Sequence, residues 1–301
     1  MKTLRIILIC SLIAIMALPA LAGRRKTIKD AGALLSSVRI ALNSNPKRYD
    51  EALGYCDTIL STHGPHPEAY FRKGSIYAEF ASRDYDLNKK IEYFTMMQAN
   101  YDSLVMACES DDVKKKYKKD CDKFSEVVDS IRVGYWGEYY NAGVRTIGRL
   151  DKELMPAVAQ AMDSASEVEA EAALKGAADT AILNFRIAIS VDEDDPRTAE
   201  GIGIVFDRLK MPDSSVIYFT KAWEANPEKL QLLQSIAYSY IQMRNWTKSI
   251  EYFQKILEQA PDDANILFNI AVCYNNMQEF DSSFVYNMNA VSYTHLTLPT
   301  N

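Results

Sequence analysis

The stretch Leu230–Pro261 reads LQLLQSIAYSYIQMRNWTKSIEYFQKILEQAP. Leu230, Leu233, Ile236, Ala237 and Tyr240 recur at three- and four-residue steps, the spacing of one face of a helix. Met243-Arg244-Asn245 breaks the pattern as a turn, and Ile250, Phe253, Ile256 and Leu257 form a second helical stripe. Pro261 ends that helix, because it lacks an amide hydrogen and clashes with the turn before it. Two antiparallel helices of about a dozen residues cannot bury both stripes alone, so the unit requires a neighbour stacked against it.

The neighbours are written in the sequence thirty-four residues away on either side. Ile202, Ile236 and Ile270 fall in one column, Gly203, Ala237 and Ala271 in the next, and Phe206, Tyr240 and Tyr274 three residues on. Ser215, Ser249 and Ser283 follow, then Phe219 and Phe253, with Asn287 breaking that column, then Ala222, Ile256 and Ala290. Pro227 and Pro261 close the first two units. A fixed period of this length signals stacked repeats. The two small columns are read as the places where the paired helices of one unit approach closely.

This alternation of small and large residues resembles the tetratricopeptide repeat. Columns that the family fills with Trp, Leu, Gly, Tyr, Ala, Phe, Ala and Pro hold Leu233, Ile236, Ala237, Tyr240, Ser249, Phe253, Ile256 and Pro261. The clearest resemblance spans about a third of the chain, with weaker copies toward the N-terminus. It implies an all-α solenoid of stacked antiparallel helix pairs, in which the first helix of each pair lines a concave groove for a protein or peptide partner. Residues off the packing stripe would then face that groove: Arg197, Glu200, Ile204 and Asp207, then Gln231, Gln234, Tyr238 and Gln242, then Asn265, Phe268, Asn269, Val272 and Asn275. The amides offer donors and acceptors to an extended backbone. Family members that clamp a terminal carboxylate use Lys and Arg with Asn here, and this set lacks those cations. The alternative is that these are simply solvated helix faces.

Working toward the N-terminus, the helical stripes continue. Leu34, Leu35, Val38, Ala41 and Leu42 precede a turn at Asn43-Ser44-Asn45-Pro46, and Tyr49, Ala52, Leu53, Cys56, Ile59 and Leu60 follow it. Tyr70, Gly74 and Tyr77 open another pair, whose second helix is expected near Asn88–Ser103. Between residues 110 and 195 the short-helix pattern stops. One long helix is expected from Val113 into the 150s, kinked near Pro156. A second is expected from a capping box at Ser164-Ala165-Ser166-Glu167 to Val191, unless Gly176 splits it. The expected whole is roughly five helix pairs, divided as 23–109 (N-terminal pairs), 110–195 (an elongated central pair) and 196–291 (three tandem repeats, the last one truncated).

Residues 1–22 read as a secretory signal peptide, with Lys2 and Arg5, an apolar run from Ile6 to Leu18, and Ala20-Leu21-Ala22 before Gly23. The alternative is a retained membrane anchor, for which the run is short. Cleavage would take the net charge from −6 to −8 by removing two cations, and a strongly nucleic-acid-binding chain would usually be basic. Residues 292–301, SYTHLTLPTN, leave the repeat in mid-helix and read as a non-native tail, the alternative being a genuine irregular end. The leader implies a periplasmic or envelope location.

Candidate chemistry is sparse. Cys56, Cys108, Cys121 and Cys273 are even in number, which invites a disulfide in an exported chain. Their spacings match no metal or redox motif, and Cys108 and Cys121 can meet only if the chain turns near Ser110–Asp112, so buried thiols are expected. His63 and His66 flank Gly64-Pro65 without an evident third ligand, and no metal or cofactor is expected. Gly201-Ile202-Gly203 lacks the third glycine and the preceding strand of a dinucleotide loop. No nucleophile–base pair or phosphate loop stands out. The expected function is therefore a non-enzymatic interaction scaffold of the cell envelope, or else a repeat arm of a longer protein with a catalytic, sensory or wall-anchoring domain.

Overall fold

A computed structural model describes residues 30–296, with side chains through Ser292. The leader read at 1–22 and the end of the tail lie outside the described residues. Every regular element described is helical. The N-terminal helices are α1 (Ala31–Asn43), α2 (Tyr49–His63), α3 (Pro67–Arg83) and α4 (Leu87–Glu109). The centre holds α5 (Asp111–Lys116), α6 (Lys118–Arg149), a π-helical turn Leu150–Leu154, α7 (Met155–Ala159) and α8 (Ser164–Val191). Three pairs complete the stack: α9 (Pro196–Arg208) with α10 (Pro212–Ala225), α11 (Leu230–Gln242) with α12 (Trp246–Leu257), and α13 (Ala264–Asn276) with α14 (Phe280–Leu296). With α1/α2, α3/α4 and the α6/α8 pair, the described residues form six helix pairs, one more than the five expected.

Short polar caps set the helix starts. Asp30, Asp86, Asp163, Asp195 and Asp263 each accept hydrogen bonds from amides of the first turn they precede, which would otherwise lack intrahelical acceptors. Pro67, Pro196 and Pro212 stand in first turns, where the missing amide costs nothing.

The thirty-four-residue period governs tertiary contacts as well as sequence. Ile202, Ile236 and Ile270 are fully buried. The Ser215 hydroxyl donates to the Gly203 carbonyl at 3.1 Å, and Ser283 donates to the Ala271 carbonyl at 2.9 Å, so the small columns do mark close approach within a pair. At Gly203 any Cβ would sit 2.7 Å from the Phe219 ring. Phe206 stacks on Tyr218, Tyr240 on Tyr252 and Tyr274 on Tyr286, with centroids 5.5, 5.6 and 5.4 Å apart. Each pair turns through one left-handed residue: Lys210, Arg244 and Gln278, with φ of 55°, 56° and 63°.

The central segment differs from its sequence reading in four ways. The long helix breaks at Tyr117 between α5 and α6, where neither Gly nor Pro marks it. The irregularity near Pro156 is a π turn just before it, closed by the Met155 amide bonding to the Leu150 carbonyl. The α8 cap is Asp163 with Ser166 as its reciprocal partner, one residue earlier than the box read from sequence, and α8 runs unbroken through Gly176. Cys108 and Cys121 form a disulfide, correcting the expectation of free thiols there. Ser110 ends α4, the chain turns, and Tyr117 kinks it again, which brings the two cysteines together. Cys56 and Cys273 are free and buried, as expected. The second helix of the α3/α4 pair also runs six residues past Ser103, to Glu109.

The same corner buries His66 between α2 and α3. Its ring lies 4.4 Å from Tyr117, and its Nδ1 has no hydrogen-bond partner. Burial lowers its pKa, against the opposing pull of Asp120 and Glu68, while Lys116 and His63 add to the lowering. The unfolded chain therefore takes up this proton at a higher pH than the native one. Stability is full above the ordinary value near 6.5 and falls as the pH drops below it. The urea midpoint is expected to fall between pH 7.5 and 5.5, and His66→Phe, which keeps the ring contact, should flatten that dependence. An identical pH slope in the variant would refute the assignment.

Candidate partner-binding groove

The first helices of the three C-terminal pairs are α9, α11 and α13, and their off-core faces are joined by hydrogen bonds from helix to helix. The Gln242 amide donates to Asp207 Oδ1 at 2.8 Å, linking α9 and α11. The Asn269 amide donates to the Tyr238 hydroxyl at 3.1 Å, linking α11 and α13. Lys229, at the start of α11, pairs with Glu200 of α9 at 2.6 Å. These bonds follow from the repeat: residues thirty-five and thirty-one apart on equivalent helices come side by side when the units stack.

Tyr238 is the centre of this face. Gln234 also donates to its hydroxyl, at 3.2 Å. The phenol oxygen has two lone pairs, and two amides use them, which leaves its own proton to donate elsewhere. The ring is 40% exposed, and its inner edge meets Phe253 at 5.7 Å in a T-shaped contact. Phe268, one residue before Asn269, is 54% exposed. Gln234, Tyr238 and Asn269 thus form one hydrogen-bonded cluster, with the exposed Phe268 next to it in the chain.

The remaining residues read as groove positions are placed differently. Arg197 turns toward α6: its guanidinium stacks 4.1 Å over the Trp136 ring and pairs with Asp195 at 2.6 Å. The hydrogen bond from Arg197 to the Asp195 carboxylate raises its pKa further above a value that already keeps it cationic. Trp136 in turn donates to Thr198 at 3.2 Å. Glu200 is neutralised by Lys229. Asn275 is exposed near the end of α13, apart from the Tyr238 cluster. Trp136 and Lys229 were absent from the sequence reading. Lys229 caps the start of α11 outside its helical stripe, and the sixty-two-residue separation of Trp136 and Thr198 leaves no local signal. Among the described residues no group of three or more His, Cys, Asp or Glu side chains could hold a metal ion, and no helix is long and apolar enough to cross a membrane.

The sequence model of the tetratricopeptide repeat matches residues 232–263. No curated protein matches the chain. Solved structures with a likeness to it include MamA MSR-1 C2, 17% identical, covering 56% of this chain and 98% of that one with a TM-score of 0.39. TTC0263, a thermophilic TPR protein in Thermus thermophilus, is 16% identical over 81% of this chain and 98% of its own, with a TM-score of 0.31. YrrB, described as a TPR protein with an unusual peptide-binding site, is 12% identical over 79% and 91%, with a TM-score of 0.36.

Proposed function

We propose, from the premise that this is a tetratricopeptide-repeat protein, that it is a non-enzymatic scaffold that holds an extended segment of another protein across α9, α11 and α13. The observation that carries this reading is the Tyr238 cluster. Two half-exposed rings supply contact area at low entropic cost, and exposed aromatics of this kind recur as binding hot spots. The Tyr238 proton and the two amide oxygens meet the acceptors and donors of a backbone. The bonds from Asn269 and Gln234 fix the ring before any partner arrives, which reduces the ordering cost of binding.

An envelope location is part of the proposal. It is supported by the charged, apolar and small-residue order of residues 1–22, and by the Cys108–Cys121 disulfide, a bond that persists in oxidising compartments. Sequencing the N-terminus of the mature protein should find Gly23 first. A second reading, a repeat arm for a further domain, is favoured by the apolar side chains that α14 leaves exposed, among them Phe280, Phe284 and Met288.

The test begins with a partner recovered by pull-down from an envelope fraction. The double change Tyr238→Ala and Phe268→Ala should weaken its affinity by more than about 2 kcal/mol, the hot-spot scale. Phe268→Ala alone separates binding from folding, because that ring is not buried whereas Tyr238 touches Phe253. Affinity unchanged in a double mutant that still folds would remove the groove as the site.

A further inference from the structure

We propose that a second site lies in the cleft between the α7–α8 hairpin and the turn from α9 to α10, and that it takes an amphipathic anion, a medium-chain fatty carboxylate. The cleft has a volume of about 510 Å³, within the range of small-molecule sites. Its apolar lining comes from three elements: Met155 and Val158 of α7, Leu174 of α8, and Leu209 and Met211 of the turn. Leu174 and Leu209 also pack against the core around Phe185 and Ile202, so the floor of the cleft is continuous with the hydrophobic interior. Met211 remains 45% exposed.

The charged groups around this lining are unevenly satisfied. Arg208 is committed to Asp151 at 2.6 Å and to Asp207 at 2.8 Å. Lys175 and Lys210 also line the cleft, both are exposed, and among the described residues neither has an ion-pair partner. Glu171 lies one helical turn before Lys175 without pairing to it. Two uncommitted ammonium groups beside five apolar side chains match an acid head on a hydrocarbon tail. The carboxylate would meet Lys175 or Lys210, and the tail would cover Leu174, Leu209 and the methionines.

The cleft exists because the central pair is elongated. The turn that presents Lys210 recurs at Arg244 and Gln278, but the long hairpin stands only beside the first of the three. Met155 follows directly on the π turn Leu150–Leu154, and π turns within helices gather at functional sites. None of the residues of the Tyr238 cluster lines this cleft, so the two sites are distinct.

Calorimetric titration of the full chain with dodecanoate, below its micellar concentration, should show saturable one-to-one binding. Dodecanol, which lacks the charge, should bind at least about tenfold more weakly. The double change Lys175→Glu and Lys210→Glu should weaken dodecanoate binding by about tenfold or more, and Leu174→Trp, which fills the cleft, should abolish it. Helix content and melting are recorded for each variant. If Leu174→Trp fails to fold, the exposed lysine pair alone carries the test. Absence of saturable binding, equal affinity for the alcohol, or full affinity in the folded lysine variant would each overturn the proposal.

Discussion

Phe185→Ala is expected to lower the stability of the whole chain by about 3–5 kcal/mol, the cost of emptying a well-packed aromatic site. Phe185 is fully buried in α8. Its ring fills the space left by two glycines on different helices: a Cβ at Gly143 of α6 would lie 2.6 Å from it, and one at Gly201 of α9 would lie 2.5 Å from it. The ring also tilts against Tyr140 at 5.9 Å. It therefore joins the central pair to the first C-terminal repeat, and neither glycine carries a side chain that could close the void. Urea denaturation followed by circular dichroism measures the loss. A decrease below about 1 kcal/mol would mean that the ring does not hold these three helices together.

Replacing both Cys108 and Cys121 by Ser is expected to cost about 3 kcal/mol, the chain-entropy value for a loop of this size. The bond spans thirteen residues and staples the end of α4 to the first turn of α6, across the short helix α5. Adding reductant should lower the wild-type melting temperature to near that of the double variant. The double variant should not respond to reductant, because Cys56 and Cys273 are free, buried thiols with no bond to reduce. A wild-type melting curve indifferent to reductant would show the bond to be absent or without consequence.

The repeat was legible because its columns recur at one spacing and each column has one size of residue. The helix faces followed from the 3.6-residue period, and so Tyr238 and Phe268 could be placed off the packing stripe. A further column was written just as plainly: Tyr218, Tyr252 and Tyr286 also stand thirty-four apart, and they stack on the aromatic column that was read. What was hidden depends on neighbours distant in sequence. The disulfide requires two helix breaks, at Ser110 and Tyr117, and neither residue is a breaker. The bond from Asn269 to Tyr238 reaches across thirty-one residues, and the seat of Arg197 on Trp136 reaches further still. The one-residue error at the α8 cap arose because Asp163 and Ser164 are both good capping residues, and local propensity does not choose between them.

The α8 helix is not equally protected along its length. From Ala177 to Val191 it lies in the core, whereas from Ser164 to Lys175 it rests on α7 and the π turn with most side chains in water. A single helix thus spans two levels of local stability, with Gly176 at the boundary. Amide protons of its first half should exchange through brief local openings that leave the second half closed. A protease would meet Met162, 98% exposed at the hairpin tip, well before any bond of the repeat core. Such an opening is expected to leave the solenoid in shape while it shifts the α7 and α8 sides of the neighbouring cleft against the turn from α9 to α10.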